Sequence, residues 1–253
     1  MKGILLAGGL GTRLLPLTRI TNKHLLPVYR KPMVLYPLET LRRAGVTEIM
    51  VVCGKEHAGH FMNFLGSGKE YGVKLSYALQ HGAGGIAEAL SLAEDFADGG
   101  RVAVILGDNI FVDDFSGVTT QFEREAGAKV FLKRVAEPQR FGVAEVRQGK
   151  IVRIEEKPRK PKSNLVTVGF YLYGADIFKK IKKLKPSRRG ELELTDVHNM
   201  YIKEGRLRYA TVRGFWSDAG TFESLLQTTN WLAQQHQREL AKPKPKTRRT
   251  IRK

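Results

Sequence analysis

The sequence predicts an α/β fold: a mixed, mostly parallel sheet with helices on both faces, joined to a small β-rich part. Three observations predict it. Apolar runs of strand length alternate with helical patterns from residue 3 to about residue 135, as repeated β-α-β units require. The run 102–106 is apolar throughout, which suits a strand covered on both faces at the centre of the sheet. From about Phe141 the grammar changes to alternating polar and apolar residues around Gln148-Gly149-Lys150, the pattern of a β-hairpin.

In order, residues 3–7 read as the first strand, 34–44 as a helix ended by Gly45, 48–53 as a strand and 57–65 as a helix. Residues 74–79 read as a strand, 85–96 as a helix, 102–106 as the central strand, 115–125 as a helix and 129–135 as a strand. Then come the hairpin over 142–155, a strand over 164–173 and a helix over 175–184. A helix over 194–203, capped by Thr195 or a neighbour, precedes a strand over 207–212 and a closing helix over 221–237. This is one domain, 1–240, made of a part over about 1–135 and a part over about 136–220, with a tail over 241–253.

The 253 residues can bury a substantial core, and the 42% hydrophobic and 27% charged shares are those of an ordinary globular chain. No apolar run is long enough to span a bilayer, and with the first strand opening at the start of the sequence no leader is expected. Cys53 is the only cysteine, so no disulfide forms within the chain and a cytoplasmic setting is expected. The formal net charge is +18, of which seven charges lie in Lys242, Lys244, Lys246, Arg248, Arg249, Arg252 and Lys253. Subtracting those seven leaves about +11 on the body. The tail is either a solubilising extension or a contact for nucleic acid or another polyanion.

The first strand runs into Leu5-Leu6-Ala7-Gly8-Gly9-Leu10-Gly11-Thr12-Arg13-Leu14. Glycines let backbone N–H groups approach a phosphate, and Arg13 adds a planar, permanently charged fork. The loop is not a P-loop, since no lysine lies between Gly8 and Leu14. Nor does it complete the Gly-x-Gly-x-x-Gly fingerprint, because residue 14 is leucine. Its position after the first strand of a Rossmann-like sheet predicts a nucleotide phosphate site. Lys23, in Asn22-Lys23-His24-Leu25-Leu26-Pro27-Val28, can meet the same phosphates.

Asp108, in Gly107-Asp108-Asn109, follows the central strand at the end where such sheets bind ligands. A carboxylate there either holds Mg²⁺ against substrate phosphates or serves a turn. Asp218, in Trp216-Ser217-Asp218-Ala219-Gly220-Thr221, is a second carboxylate, or else a cap of the closing helix. Glu155-Glu156-Lys157-Pro158 and Gly190-Glu191-Leu192-Glu193-Leu194-Thr195-Asp196 are further charged stretches, each also readable as a solvated cluster. His57 and His60 share a helix face but have no third ligand, and read as surface residues.

Taken together and in this order, these motifs resemble the sugar-1-phosphate nucleotidylyltransferases over about residues 1–235. Gln80, Gly85, Phe141-Gly142-Val143 and the motifs around Lys157, Glu193 and Asp218 narrow the resemblance to the thymidylyl/uridylyl branch. It implies a nucleotide-diphospho-sugar transferase type of fold, with a nucleotide-binding part over about 1–135 and a sugar-binding part over about 136–220. It implies that Leu6, Gly8, Gly9, Gly11, Thr12, Arg13, Gln80, Gly85 and Asp108 bind the nucleotide, Gln80 at the imide edge of a pyrimidine. Gly142, Glu156, Lys157, Val168 and Glu193 would bind the sugar phosphate, and Asp108 and Asp218 would ligate Mg²⁺. Arg13, Lys23, Asp108, Lys157 and Asp218 would carry catalysis. The chain departs from the pattern at His24, Ser217, Ala219 and the segment 81–84.

The implied reaction joins dTTP, or alternatively UTP or another nucleoside triphosphate, to glucose 1-phosphate and releases pyrophosphate. A glycosyltransferase and a non-catalytic nucleotide- or nucleic-acid-binding relative are the rival readings. The first lacks its Asp-x-Asp motif here, since Asn109 and Ile110 follow Asp108. A homo-oligomer is left open.

Overall fold

The computed structural model describes residues 1–82 and 84–241, so the basic tail lies outside the described residues. Its strands are β1 (Lys2–Ala7), β2 (Pro27–Val28), β3 (Lys31–Pro32), β4 (Glu48–Gly54), β5 (Lys74–Gln80), β6 (Val102–Leu106) and β7 (Ile110–Phe111). They continue with β8 (Ala128–Arg134), β9 (Gly142–Arg147), β10 (Lys150–Glu156), β11 (Leu165–Tyr173), β12 (Leu207–Thr211) and β13 (Trp216–Ser217). The α-helices are α1 (Leu35–Arg43), α2 (Ala58–Leu65), α3 (Ile86–Ser91), α4 (Glu94–Ala97), α5 (Ser116–Phe122), α6 (Ile177–Ile181), α7 (Leu194–Lys203) and α8 (Phe222–Leu240).

One mixed sheet carries the order β10-β9-β11-β6-β1-β4-β5, with β8 pairing both β11 and β12. The β6-β1-β4-β5 half is parallel, as is the β8–β12 pair, while β11 runs antiparallel to β6, β8 and β9. The period of two along each strand divides its side chains between two apolar layers. Leu5, Ala7, Ala103, Ile105, Val166, Val168, Phe170 and Leu172 face the layer covered by α1, α2 and α5. Ile4, Leu6, Val102, Val104, Tyr171 and Tyr173 face the other, covered by α3, α6 and α7. Helices therefore lie on both faces, as the sequence predicts.

The helix expected over 85–96 is divided into α3 and α4, because the Ala93 N–H bonds the Leu90 carbonyl three residues back and tightens the chain at the join. Glu193, and not Thr195, occupies the N-cap position of α7. Asp218 does not cap α8 either: Thr221 does, forming a reciprocal capping box with Ser224. Thr221→Ala is expected to cost about 1 kcal/mol, or roughly 2–4 °C in melting temperature for a chain of this size. An unchanged thermal unfolding curve would remove the cap from the account of α8. Among the described residues no helix is long and apolar enough to cross a membrane.

This topology positions the site. The loops after β1, β5 and β6 leave the sheet at the same, carboxyl end, where open α/β sheets bind ligands. The start of β9, the end of β10 and the middle of β11 add a second wall.

Candidate active site

The two walls enclose a cleft of about 340 Å³. Leu6, Gly8, Gly9, Arg13, Lys23, Gln80, Gly85, Asp108, Gly142, Glu156, Lys157, Glu193 and Asp218 all line it. Gly8 has no room for a side chain, since a Cβ would collide with Gln80 Oε1. The glycine loop after β1 and Gln80 are thus in direct contact. Gly11 and Thr12, expected at the phosphates, belong to the turn entering a short 3-10 segment and do not form the cleft wall. Gly11 instead accepts a hydrogen bond from Thr18 Oγ1 at 3.0 Å.

Lys23 reaches across to Asp108, with Nζ 2.5 Å from Oδ2, and both side chains are largely buried. Burial alone would raise the Asp108 carboxyl, but the Lys23 charge and hydrogen bonds from Lys23 and Asn109 hold it below the ordinary value. Asp218 behaves in the opposite sense. Burial, then the negative charge of Asp108, push its carboxyl up, against the opposing charges of Arg140 and Arg13. A Cβ on Gly220 would lie 3.0 Å from the Arg13 guanidinium and 3.4 Å from Asp108 Oδ2, so these groups crowd one point.

Two hard oxygen donors sharing a buried site, where the charge of Asp108 raises the proton affinity of Asp218, suit a divalent cation such as Mg²⁺. Among the described residues no group of three or more acidic, histidine or cysteine side chains gathers around a single point. A metal here would draw its remaining ligands from substrate oxygens and water, as Mg²⁺ commonly does. His24 is buried beside this pair, its pKa pushed down to about 3 by burial and then by the Lys23 charge. Its ring is neutral, and Nδ1 lies 2.6 Å from Asn22 Oδ1, to which it donates.

At the base end, Gln80 Nε2 donates to Glu88 Oε2 at 2.5 Å and to the Gly85 carbonyl at 3.4 Å. Glu88, in the first turn of α3, fixes the amide. Gly85 itself, at φ 99° and ψ 177°, occupies backbone space open only to glycine. It packs on the backbone of Leu192, and the Leu192 N–H donates to Gly84 at 2.8 Å while its carbonyl accepts from Ala87 at 3.2 Å. The base loop and the Glu191–Glu193 strap are therefore one unit.

At the other end, Thr195 donates to Glu156 Oε2 at 2.6 Å, which leaves Oε1 facing Lys157 Nζ at 3.7 Å. Lys157 is held at φ 42°, and Ala219, next to Asp218, at φ 29°. Left-handed backbone at non-glycine residues commonly marks functional strain, and both of these flank the cleft. Burial raises the Glu193 carboxyl. Val168, expected at the sugar, is a correction: its side chain is fully buried in the apolar layer on the opposite side. Its neighbours Thr167 and Gly169 line the cleft instead, because adjacent residues of a strand face opposite ways.

Four contributors escaped the sequence reading. Arg140 donates to Asp218 Oδ2 at 3.0 Å, with its guanidinium stacked 5.3 Å from the Phe141 ring. Its adjacency to the Phe141-Gly142-Val143 motif was the available signal. Asn109 is a hub: Nδ2 donates to Asp108 Oδ1 at 2.9 Å, while Oδ1 accepts from Gly169 N at 2.9 Å and Trp216 Nε1 at 2.8 Å. Its side chain lies against Gly169, where β11 breaks register with β8. Trp216 and Tyr171 complete the wall. His57 and His60, with ring centroids 5.7 Å apart, do not line the cleft; His60 is exposed and His57 half-buried.

Known proteins resemble this chain in sequence and in fold. The nucleotidyl transferase family model matches residues 2–235. A glucose-1-phosphate thymidylyltransferase of Neisseria meningitidis is 44% identical over 237 residues, covering 92% of this chain and 82% of that protein. One from an Actinoplanes species is 43% identical over 236 residues, covering 92% and 78%. Among solved structures, a Bacillus anthracis protein assigned as a glucose-1-phosphate thymidylyltransferase, crystallised with sucrose, superposes at a TM-score of 0.88 with 52% identity, covering 91% of this chain and 94% of that one. A UDP-glucose pyrophosphorylase complexed with UDP-glucose superposes at 0.83 with 25% identity, covering 92% and 98%. By sequence and fold alike, the chain belongs to the nucleotidyl transferase family.

Proposed function

We propose that this protein condenses dTTP with glucose 1-phosphate to give dTDP-glucose and pyrophosphate. The observation that supports this most is the convergence of Arg13, Lys23, Asp108 and Asp218 at the middle of one cleft, with Gln80 at one end and Glu156 and Lys157 at the other. The names of the relatives supply the substrates.

The chemistry asks little of a general base. A phosphate monoester has its second pKa at about 6, so the attacking oxygen is already an anion near neutral pH. That oxygen forms a bond to the α-phosphorus as the bond to the bridging oxygen of pyrophosphate breaks. The obstacle is bringing two polyanions together in line. Arg13 and Lys23 neutralise and orient the triphosphate, and Lys157 grips the sugar phosphate at the strained end of β10. Asn109 and Arg140 hold the two carboxylates in place. Mg²⁺, held by Asp108 and Asp218, would supply further neutralisation of phosphate charge.

A panel of nucleoside triphosphates against several sugar 1-phosphates, read by pyrophosphate release, tests the proposal. The expected outcome is highest kcat/KM for dTTP with glucose 1-phosphate and equal moles of pyrophosphate and nucleotide sugar. No release with any pair would overturn it. Preference for UTP would keep the chemistry and change the nucleotide. Gln80→Ala is expected to raise the nucleotide KM roughly tenfold, with less effect on kcat. Selectivity among dTTP, UTP and CTP that stays at the wild-type level would remove Gln80 from base reading.

A further inference from the structure

Beneath the sugar end of the cleft, α7 packs on β11 through stacked rings. His198 lies 5.2 Å from Tyr171 and 5.9 Å from Tyr173 between ring centroids. His198 lines the cleft, yet only 1% of its surface is exposed. Nothing in the reaction proposed above uses it.

The hydrogen bonds fix where its proton lies. The Tyr173 hydroxyl is fully buried, and burial pushes its pKa far above the ordinary value, so it keeps its proton. Its one partner among the described residues is His198 Nε2 at 2.7 Å. Burial likewise pushes the His198 pKa down to about 3, so the ring is neutral and carries a single proton. Were that proton on Nε2, the Tyr173 O–H would have no acceptor. The hydroxyl therefore donates to Nε2, and the proton is on Nδ1. Nδ1 is itself buried and has no partner among the described residues. Native interiors seldom leave such a donor unmatched.

We infer that the Nδ1–H of His198 donates a hydrogen bond to an oxygen of the hexosyl group in the sugar 1-phosphate, making His198 a determinant of sugar specificity. This rests on the function proposed above. A site that hydrogen-bonds a hydroxyl discriminates against the analogue that lacks it, because the protein donor is left unpaired.

Two substitutions separate the ring's two roles. In His198→Gln the amide reaches the place of Nε2, where its oxygen accepts from the Tyr173 hydroxyl, and the Nδ1 donor is lost. In His198→Asn the amide nitrogen falls near Nδ1, with the reverse effect. The assay is kcat/KM with dTTP and glucose 1-phosphate or its 2-, 3-, 4- and 6-deoxy analogues. Wild type is expected to lose roughly ten- to hundredfold with one analogue through this contact. H198Q should lose a similar factor with glucose 1-phosphate itself, in the KM for the sugar phosphate and not for dTTP. With that one analogue it should lose nothing further, whereas H198N should restore the wild-type profile.

A wild-type deoxy profile in H198Q, or a loss spread evenly over all analogues, would overturn the inference while leaving the function standing. No turnover by the wild-type protein would overturn both. Should a variant not fold, ¹⁵N spectra of the wild-type histidine rings decide the matter. The expected result is a proton on Nδ1 of His198 and a shift of that resonance on adding glucose 1-phosphate. A proton on Nε2, or no shift, contradicts the assignment.

Discussion

Asp108→Asn lowers turnover by roughly 10²- to 10³-fold while leaving the fold intact. The substitution preserves shape and removes one negative charge from the most crowded point of the cleft. Asp108 is placed there by backbone: Gly107 N bonds the Leu6 carbonyl at 2.8 Å and Asn109 N bonds the Leu106 carbonyl at 3.0 Å, so the turn after β6 is locked to β1. Asparagine keeps those bonds. It removes the anion that pairs with Lys23 and that raises the Asp218 carboxyl. Pyrophosphate release at saturating Mg²⁺, with far-UV circular dichroism as the control for folding, measures the effect. Near-normal turnover would defeat the metal assignment.

The same pair makes a pH-dependent contribution to stability with a definite sign. Asp108, whose carboxyl is held low, stabilises the fold above the ordinary carboxylate pKa, and that contribution is lost as pH falls through its folded value. Asp218, held high, contributes below the ordinary pKa and loses that contribution as pH rises through its folded value. Asp108→Asn therefore weakens the acid dependence of unfolding, and Asp218→Asn relieves a penalty present near neutral pH.

Gly85→Ala is expected to damage both ends of the cleft at once. Its backbone conformation costs a non-glycine residue about 1–3 kcal/mol. The new Cβ would also lie 2.8 Å from the Leu192 carbonyl oxygen and 2.9 Å from its nitrogen. Neither is the flexible tip of a side chain, so relief requires the base loop and the Glu191–Glu193 strap to part. Gln80 on one side and Glu193 on the other then lose their positions. The expected result is a higher KM for both substrates and a fall in kcat/KM of up to roughly 10²-fold, with a lowered melting temperature. A KM change confined to the nucleotide would show that the two segments do not act as a unit.

Much of this was legible before any coordinates. The unbroken apolar run over 102–106 marked β6 as a central strand, and β6 lies inside the sheet between β11 and β1. The glycines and Arg13 marked the loop after β1 as a candidate for phosphate, because close backbone approach and a fixed positive charge are written in residue type, and Gly8, Gly9 and Arg13 line the cleft. Periodicity gives a strand its faces but not its partner. The antiparallel place of β11 between β6 and β8 depends on pairings far apart in sequence and was not foreseen.

Misplacing one residue along such a strand changes the face, which is why Val168 was assigned to the sugar and Thr167 and Gly169 were not. Arg140, Asn109 and His198 were missed for a related reason. Each gains its meaning from a partner distant in the chain, respectively Asp218, Gly169 with Trp216, and Tyr173. The division of α3 from α4 turns on a single local hydrogen bond, which the helical pattern of residues 85–96 does not reveal.

The central claim is that cations and buried carboxylates align two anions for direct displacement, with no side chain attacking phosphorus. The stereochemistry at the α-phosphorus tests it most directly. With a single diastereomer of dTTP bearing sulfur at the α-phosphorus, one in-line displacement yields dTDP-glucose of inverted configuration. Retention would require two displacements through a nucleotidyl-protein intermediate, and would contradict this account of the cleft.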